Sequence, residues 1–203
     1  MGHILIEGRQ LAYERSGTGF PTLFLNGSGS TMEKARPLWK TFARVADVAA
    51  HDYRGLGSSE AGDPPSMASF ASDAQCLADS LGWATFDVIG VSFGGMVAQE
   101  LAIAVASRCR RLVLMCTSAG GTCGSSYPLH DLLDRPVEER RRLMPGLSDR
   151  RFSSEYLREH PDVRALIEAS IEGRAPTQGE REQMEARRRH DVADRLYLVT
   201  AET

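Results

Sequence analysis

The chain has 203 residues, 42% hydrophobic and 25% charged, with a formal net charge of -3. That length accommodates one sizeable core. The near-balanced charge points to no nucleic-acid partner, and no stretch approaches the roughly 18 continuous apolar residues of a membrane span. Met1-Gly2-His3-Ile4 carries no basic-then-apolar leader, so the expectation is a cytoplasmic protein without a membrane anchor.

In chain order, His3 to Glu7 and Gln10 to Arg15 alternate apolar and polar residues around Gly8, the pattern of an edge hairpin. Thr22-Leu23-Phe24-Leu25 is a short apolar run, as expected of a strand buried on both faces. The small-residue loop Asn26-Gly27-Ser28-Gly29-Ser30 follows, then a helical segment with Leu38, Trp39, Phe42 and Val45. Val48-Ala49-Ala50 opens another strand, which leads into Asp52-Tyr53-Arg54-Gly55-Leu56-Gly57-Ser58.

Phe70, Ala74, Leu77, Ala78 and Leu81 recur at helical spacing before Gly82. Phe86-Asp87-Val88-Ile89 reads as a strand, the residues from Gly95 as a helix, and Leu112 to Met115 as one more buried strand. This alternation predicts an α/β fold, with a mainly parallel sheet and helices on both faces. From about Ser125 to Val199 the chain is arginine-rich and helical in pattern, and Thr177 and Glu180 mark a helix through Arg189. Arg140 to Arg142 and Arg187 to Arg189 are interspersed with glutamates and read as solvated helical faces.

Cys76, Cys109, Cys116 and Cys123 form no C-x-x-C pair and have no histidine at zinc-site spacing. Cys76 and Cys109 fall in helical patterns. All four read as free thiols in a reducing compartment, with no metal and no organic cofactor expected.

The chemistry concentrates in Gly90-Val91-Ser92-Phe93-Gly94. A serine on a sharp strand-to-helix turn is held in a strained conformation with its hydroxyl exposed above the sheet. Gly90 and Gly94 would clear the close approach of strand and helix. The Phe93 N–H, at the positive end of the following helix, is then a natural donor to a developing oxyanion. The loop Asn26-Gly27-Ser28-Gly29 follows an earlier buried strand and can aim a second N–H, that of Ser28 or a neighbour, at the same point.

These pieces resemble the α/β-hydrolase superfamily, in particular its capped esterases, enol-lactonases and carbon–carbon bond hydrolases. The matching residues are the Asn26-Gly27-Ser28-Gly29 loop, the run Asp52 to Ser58, and the Ser92 elbow. The resemblance implies a core over residues 1–122, a helical cap over 123–199, and at 200–203 the start of a further core segment. It implies a mostly parallel, doubly wound sheet of about six strands, with Ser92 as catalytic nucleophile. Phe93 and Ser28 become the oxyanion donors, Gly27, Gly90 and Gly94 the supporting turns, and the cap residues the walls of the acyl pocket. Asp52 and Arg54 take scaffolding roles. The substrate is a small ester, lactone or related molecule.

In that family the acid and the histidine that activate the serine follow the cap, in the order Ser, Asp or Glu, His. Asp194 to Thr203 resembles the approach to the strand that carries the acid, so the last strands are expected to be missing. Of the five histidines, only His190 beside Asp191 is a candidate replacement base, and a surface histidine on a cap helix is the better reading. His51 and Asp52 are adjacent, but strand neighbours point to opposite faces. Three readings stay open: an active serine hydrolase, a truncated and catalytically impaired hydrolase acting as a binding module or inert, and a chain completed by another. A sheet lacking its last strands would expose the Leu112 to Met115 edge and self-associate there.

Overall fold

The computed structural model describes residues 1–123, 128–149, 151–170 and 175–203. Six strands form one sheet: β1 (Gly2–Ile6), β2 (Arg9–Ser16), β3 (Phe20–Leu25), β4 (Ala46–His51), β5 (Phe86–Val91) and β6 (Cys109–Met115). Their order is β1-β2-β4-β3-β5-β6. The β1–β2 hairpin and the β2–β4 pair are antiparallel, whereas β4, β3, β5 and β6 run parallel. The sequence places Cys109 in a helical pattern; it instead opens β6 and is buried.

The apolar runs of the central strands serve two cores, because successive side chains point to opposite faces. Leu23, Leu25, Ala49 and Val88 face a large cluster with Phe70, Leu77, Phe93 and Leu101. Phe24, Val48, Ala50 and Ile89 face a smaller one with Trp39. Helices α2 (Met67–Ser80) and α3 (Phe93–Ala104) supply the first cluster, and α1 (Arg36–Phe42) supplies Trp39 to the second. The sheet is therefore covered on both faces, as a continuous apolar strand requires. Helix α2 opens on a capping box in which Ser66 and Ser69 satisfy each other's backbone N–H.

Beyond Arg108 the outer edge of β6 meets the end of the chain. Arg111 and Glu202 form a parallel bridge, in which the Leu112 N–H donates to the Glu202 carbonyl at 2.8 Å and the Glu202 N–H donates to the Arg110 carbonyl at 3.1 Å. Val199 and Ala201 pack against the larger cluster. Val113 on β6 is 46% exposed.

The chain divides into two compact units, residues 1–126 with 178–203, and residues 127–177. The second unit contains α4 (Val137–Ser148), α5 (Ser154–Glu159) and α6 (Pro161–Ser170). Ion pairs such as Arg141–Glu138 and Arg164–Glu168 line its helix surfaces. Helix α7 (Gln178–Arg188) is part of the first unit. Arg188 and Arg189 pair with Glu185 on its solvent side, but Arg187 departs from the solvated-face expectation and is buried. Its neighbours on the buried stripe, Gly179, Gln183, Met184 and Ala186, recur at helical spacing, so the core claims the arginine stem. Among the described residues, no helix is long and apolar enough to cross a membrane.

Candidate functional site

Parallel pairing of β3 with β5 sets Leu25 opposite Gly90. Whatever follows the two strands must therefore emerge side by side. After β3 comes Asn26-Gly27-Ser28, and after β5 comes Ser92. A Cβ added to Gly27 would lie 3.8 Å from Ser92 Cβ and 3.7 Å from the Val91 carbonyl oxygen, so loop and elbow are in van der Waals reach. The site is a consequence of register.

Ser92 has φ 54° and ψ -114°, a conformation that costs a non-glycine residue about 1–3 kcal/mol. Its surroundings impose it. The Ser92 N–H donates to the Met115 carbonyl at 2.8 Å, and the Ser92 carbonyl accepts from Gly95 and Met96 in the first turn of α3. Helix α3 begins at Phe93, two residues before the sequence reading placed it. A Cβ at Gly90 would come within 2.5 Å of the Gly94 carbonyl oxygen, and one at Gly94 within 2.1 Å of the Leu25 carbonyl oxygen. The Phe93 ring anchors the turn from below, edge-on to Tyr53 at 5.4 Å and to Phe70 at 5.3 Å. Its N–H, at the first helical position, has no backbone acceptor among the described residues.

The 26–31 loop is tied on several sides. Asn26 donates from Nδ2 to the His51 carbonyl, and the Tyr53 hydroxyl donates to the Asn26 carbonyl, each at 3.1 Å. Within the loop the Ser30 N–H donates to the Gly27 carbonyl, and the Gly29 N–H donates to Gln183 Oε1 at 2.9 Å. Among the described residues, the Ser28 N–H has no such partner. Gln183 is the residue that the sequence reading missed. Local sequence carries no clear signal for it, since its full burial on the inner stripe of α7 emerges only from the fold.

Asp52 braces the loop from the other side. It accepts from the Met32 N–H at 2.7 Å and the Ser58 N–H at 2.9 Å. Burial raises its pKa, and these two N–H groups oppose the rise. A Cβ at Gly57 would fall 2.1 Å from Asp52 Oδ2, so only glycine fits beside the carboxylate. Arg54 donates from Nε and Nη2 to both oxygens of Asp73 on α2, at 2.8 and 2.7 Å. Burial works against the Arg54 charge, and Asp73 more than offsets it, so the Arg54 pKa is raised.

No described side chain hydrogen-bonds the Ser92 hydroxyl. His3 is exposed on β1, at the far edge of the sheet. His130 and His160 belong to the second unit, the former beside Asp131 and the latter stacked on Tyr156. His190 is only 6% exposed, which overturns its reading as a surface histidine. It follows α7 where Asp191 bridges to Gly120 and the Val192 N–H donates to Ala119, burying the ring toward the Ser118 carbonyl. Burial lowers its pKa. Asp191 accepts from the Ala193 N–H. His190 lines a pocket of about 420 Å³ with Met67, Glu100, Ala186 and Arg195, and Ser92 is not among the lining residues. Among the described residues, no cluster of His, Cys, Asp or Glu could hold a metal ion.

His51 is fully buried with both ring nitrogens unpartnered, edge-on to Tyr53 at 5.1 Å. Burial lowers its pKa from 6.5 to about 4. The unfolded chain therefore binds the extra proton first, and stability falls as pH drops from about 6.5 toward about 4. The full loss is about 3 kcal/mol. Urea midpoints followed by circular dichroism across that window should show this slope in the wild type. They should show it flattened in His51→Leu, and an unchanged slope would assign the acid lability to other groups.

A covered, mostly parallel sheet with a left-handed serine between strand and helix defines the hydrolase-type α/β class. The family model of the α/β hydrolase fold matches residues 21–193, and the chain belongs to that family. It is 36% identical over 130 residues to a 2-hydroxymuconate semialdehyde hydrolase of Pseudomonas putida, covering 62% of this chain and 44% of the relative. It is likewise 36% identical over 109 residues to a poly(3-hydroxyalkanoate) depolymerase of Ectopseudomonas oleovorans, covering 53% and 38%. The chain thus spans less than half the length of these relatives.

Among solved structures, the enol-lactonase of Burkholderia xenovorans LB400 superposes with a TM-score of 0.71 at 23% identity, over 98% of this chain and 78% of its own. A thermophilic esterase of Thermogutta terrifontis gives 0.72 at 25% identity, over 99% and 78%.

Proposed function

We propose that the chain is a serine hydrolase that acts on an ester, lactone or related small-molecule bond through Ser92. The observation that carries this reading is the left-handed Ser92 at the mouth of α3, with the 26–29 loop in van der Waals reach. Ser92 Oγ attacks the carbonyl carbon and gives its proton to a general base. The carbonyl oxygen takes up the negative charge and is met by the N–H groups of Phe93 and Ser28. Collapse expels the alcohol, which takes that proton back from the base. Water then attacks the acyl-Ser92 ester, the base accepting its proton and returning it to Ser92 Oγ as the acid leaves. Relatives named as a semialdehyde hydrolase and a depolymerase support a hydrolytic reaction.

A second reading is a hydrolase-fold protein that binds small molecules without turnover. It is favoured by the absence, among the described residues, of a base hydrogen-bonded to Ser92. A fluorophosphonate probe separates the two. The serine-hydrolase reading expects covalent labelling that Ser92→Ala abolishes, seen by gel fluorescence and intact mass. Labelling no greater than in a heat-denatured control would leave the binding reading.

A further inference from the structure

We infer that Gln183 is a positioning residue that selects which N–H of the 26–31 loop serves as oxyanion donor; this rests on the serine-hydrolase reading of Ser92. Loops of small residues can turn several N–H groups toward one point, and catalysis needs one of them held there before charge develops. The loop of this protein is sorted by its hydrogen bonds. The Ser30 N–H is committed to the Gly27 carbonyl at 3.3 Å, and the Gly29 N–H to Gln183 Oε1 at 2.9 Å. Ser28, between Gly27 beside Ser92 and the anchored Gly29, has an N–H with no acceptor among the described residues.

The anchor is built from far along the chain. Helix α7 is brought down by backbone contact at Gly179, where a Cβ would fall 2.3 Å from the Gly55 carbonyl oxygen. One turn further, Gln183 is fully buried and points its carbonyl oxygen at Gly29. Gly29 sits at φ +66°, so its own N–H direction depends on a conformation that glycine alone holds cheaply. The Nε2 atom of Gln183 is buried without a partner among the described residues, and the accepting oxygen is the hydrogen-bonding role that these surroundings give the side chain. Burying the unsatisfied Nε2 costs free energy, and the bond accepted from the Gly29 N–H is what offsets that cost at this position.

The test replaces Gln183 by Met, which has the same reach and no amide oxygen, in the full chain. Gly29 amide exchange, read by nuclear magnetic resonance, should become at least tenfold faster. The rate of fluorophosphonate labelling at Ser92 should fall at least fivefold. Gln183→Glu keeps an oxygen at the same reach and should hold both within threefold of the wild type. Two results would overturn the inference: Gly29 protection unchanged in the Met variant, or slowed labelling that the Glu variant fails to restore while Gly29 stays protected. An unlabelled wild type would overturn the serine-hydrolase reading and the catalytic half of this one, while the exchange measurement still decides whether Gln183 anchors the loop.

Discussion

Gly94→Ala should cost more than about 3 kcal/mol and leave little folded protein at room temperature, the upper end of what overpacking does. The added methyl has no flexible neighbour to displace. Its nearest atoms are the Leu25 carbonyl oxygen at 2.1 Å and the Asn26 carbonyl oxygen at 2.5 Å, both main chain. Moving Asn26 would strain the bond from the Tyr53 hydroxyl, and moving Leu25 would part β3 from β5. Gly27→Ala is the control. Its methyl meets nothing closer than 3.7 Å, and its backbone is not left-handed, so its stability should change by less than about 1 kcal/mol. Urea denaturation of both variants checks the pair. A Gly94→Ala protein within about 1 kcal/mol of the wild type would show that strand and helix do not approach as described.

Those two glycines also show what a sequence can and cannot disclose. The G-x-S-x-G spacing announces a strand, a turn and a helix in immediate succession, which is local information. The alternation in Leu23-Phe24-Leu25 and Val48-Ala49-Ala50 likewise maps onto two cores, because period-2 patterning needs no knowledge of partners. That Gly27 stands beside Ser92 is different in kind. It depends on Leu25 pairing with Gly90, a register between segments 65 residues apart.

The misreadings share this origin. Cys109 lies after a helix and before charged residues, so its local pattern does not reveal that it pairs with Phe86. His190 and Arg187 sit in a polar, arginine-rich run, and only the docking of α7 beside the sheet buries them. Gln183 reads as one more polar helix residue until Gly29, 154 positions earlier, is brought to it.

Removing the Asp73 carboxylate should be the most damaging change outside the elbow. Asp73 is 1% exposed on α2 and serves two arginines, accepting from Arg54 at 2.7 and 2.8 Å and from Arg9 Nη2 at 3.2 Å. Its net contribution is not the sum of those bonds, because burying the charges costs much of what their attraction returns. Asp73→Ala keeps that cost and deletes the attraction, leaving Arg54 buried without its counter-charge. The expected loss is about 3–5 kcal/mol.

Replacing both partners, as in Arg54→Met with Asp73→Leu, removes the stranded Arg54 charge and should recover a large part of that loss. The measurement is a double-mutant cycle by urea denaturation. A cycle in which the two single losses simply add would show that the pair is not coupled. The same cycle, read by Ser92 labelling, reaches the candidate site. Arg54 follows Asp52 and Tyr53, whose side chains hold Met32 and Asn26 at the two ends of the 26–31 loop. Freed from α2, this turn can no longer brace that loop, so labelling of the Asp73→Ala protein should slow even under conditions where it remains folded.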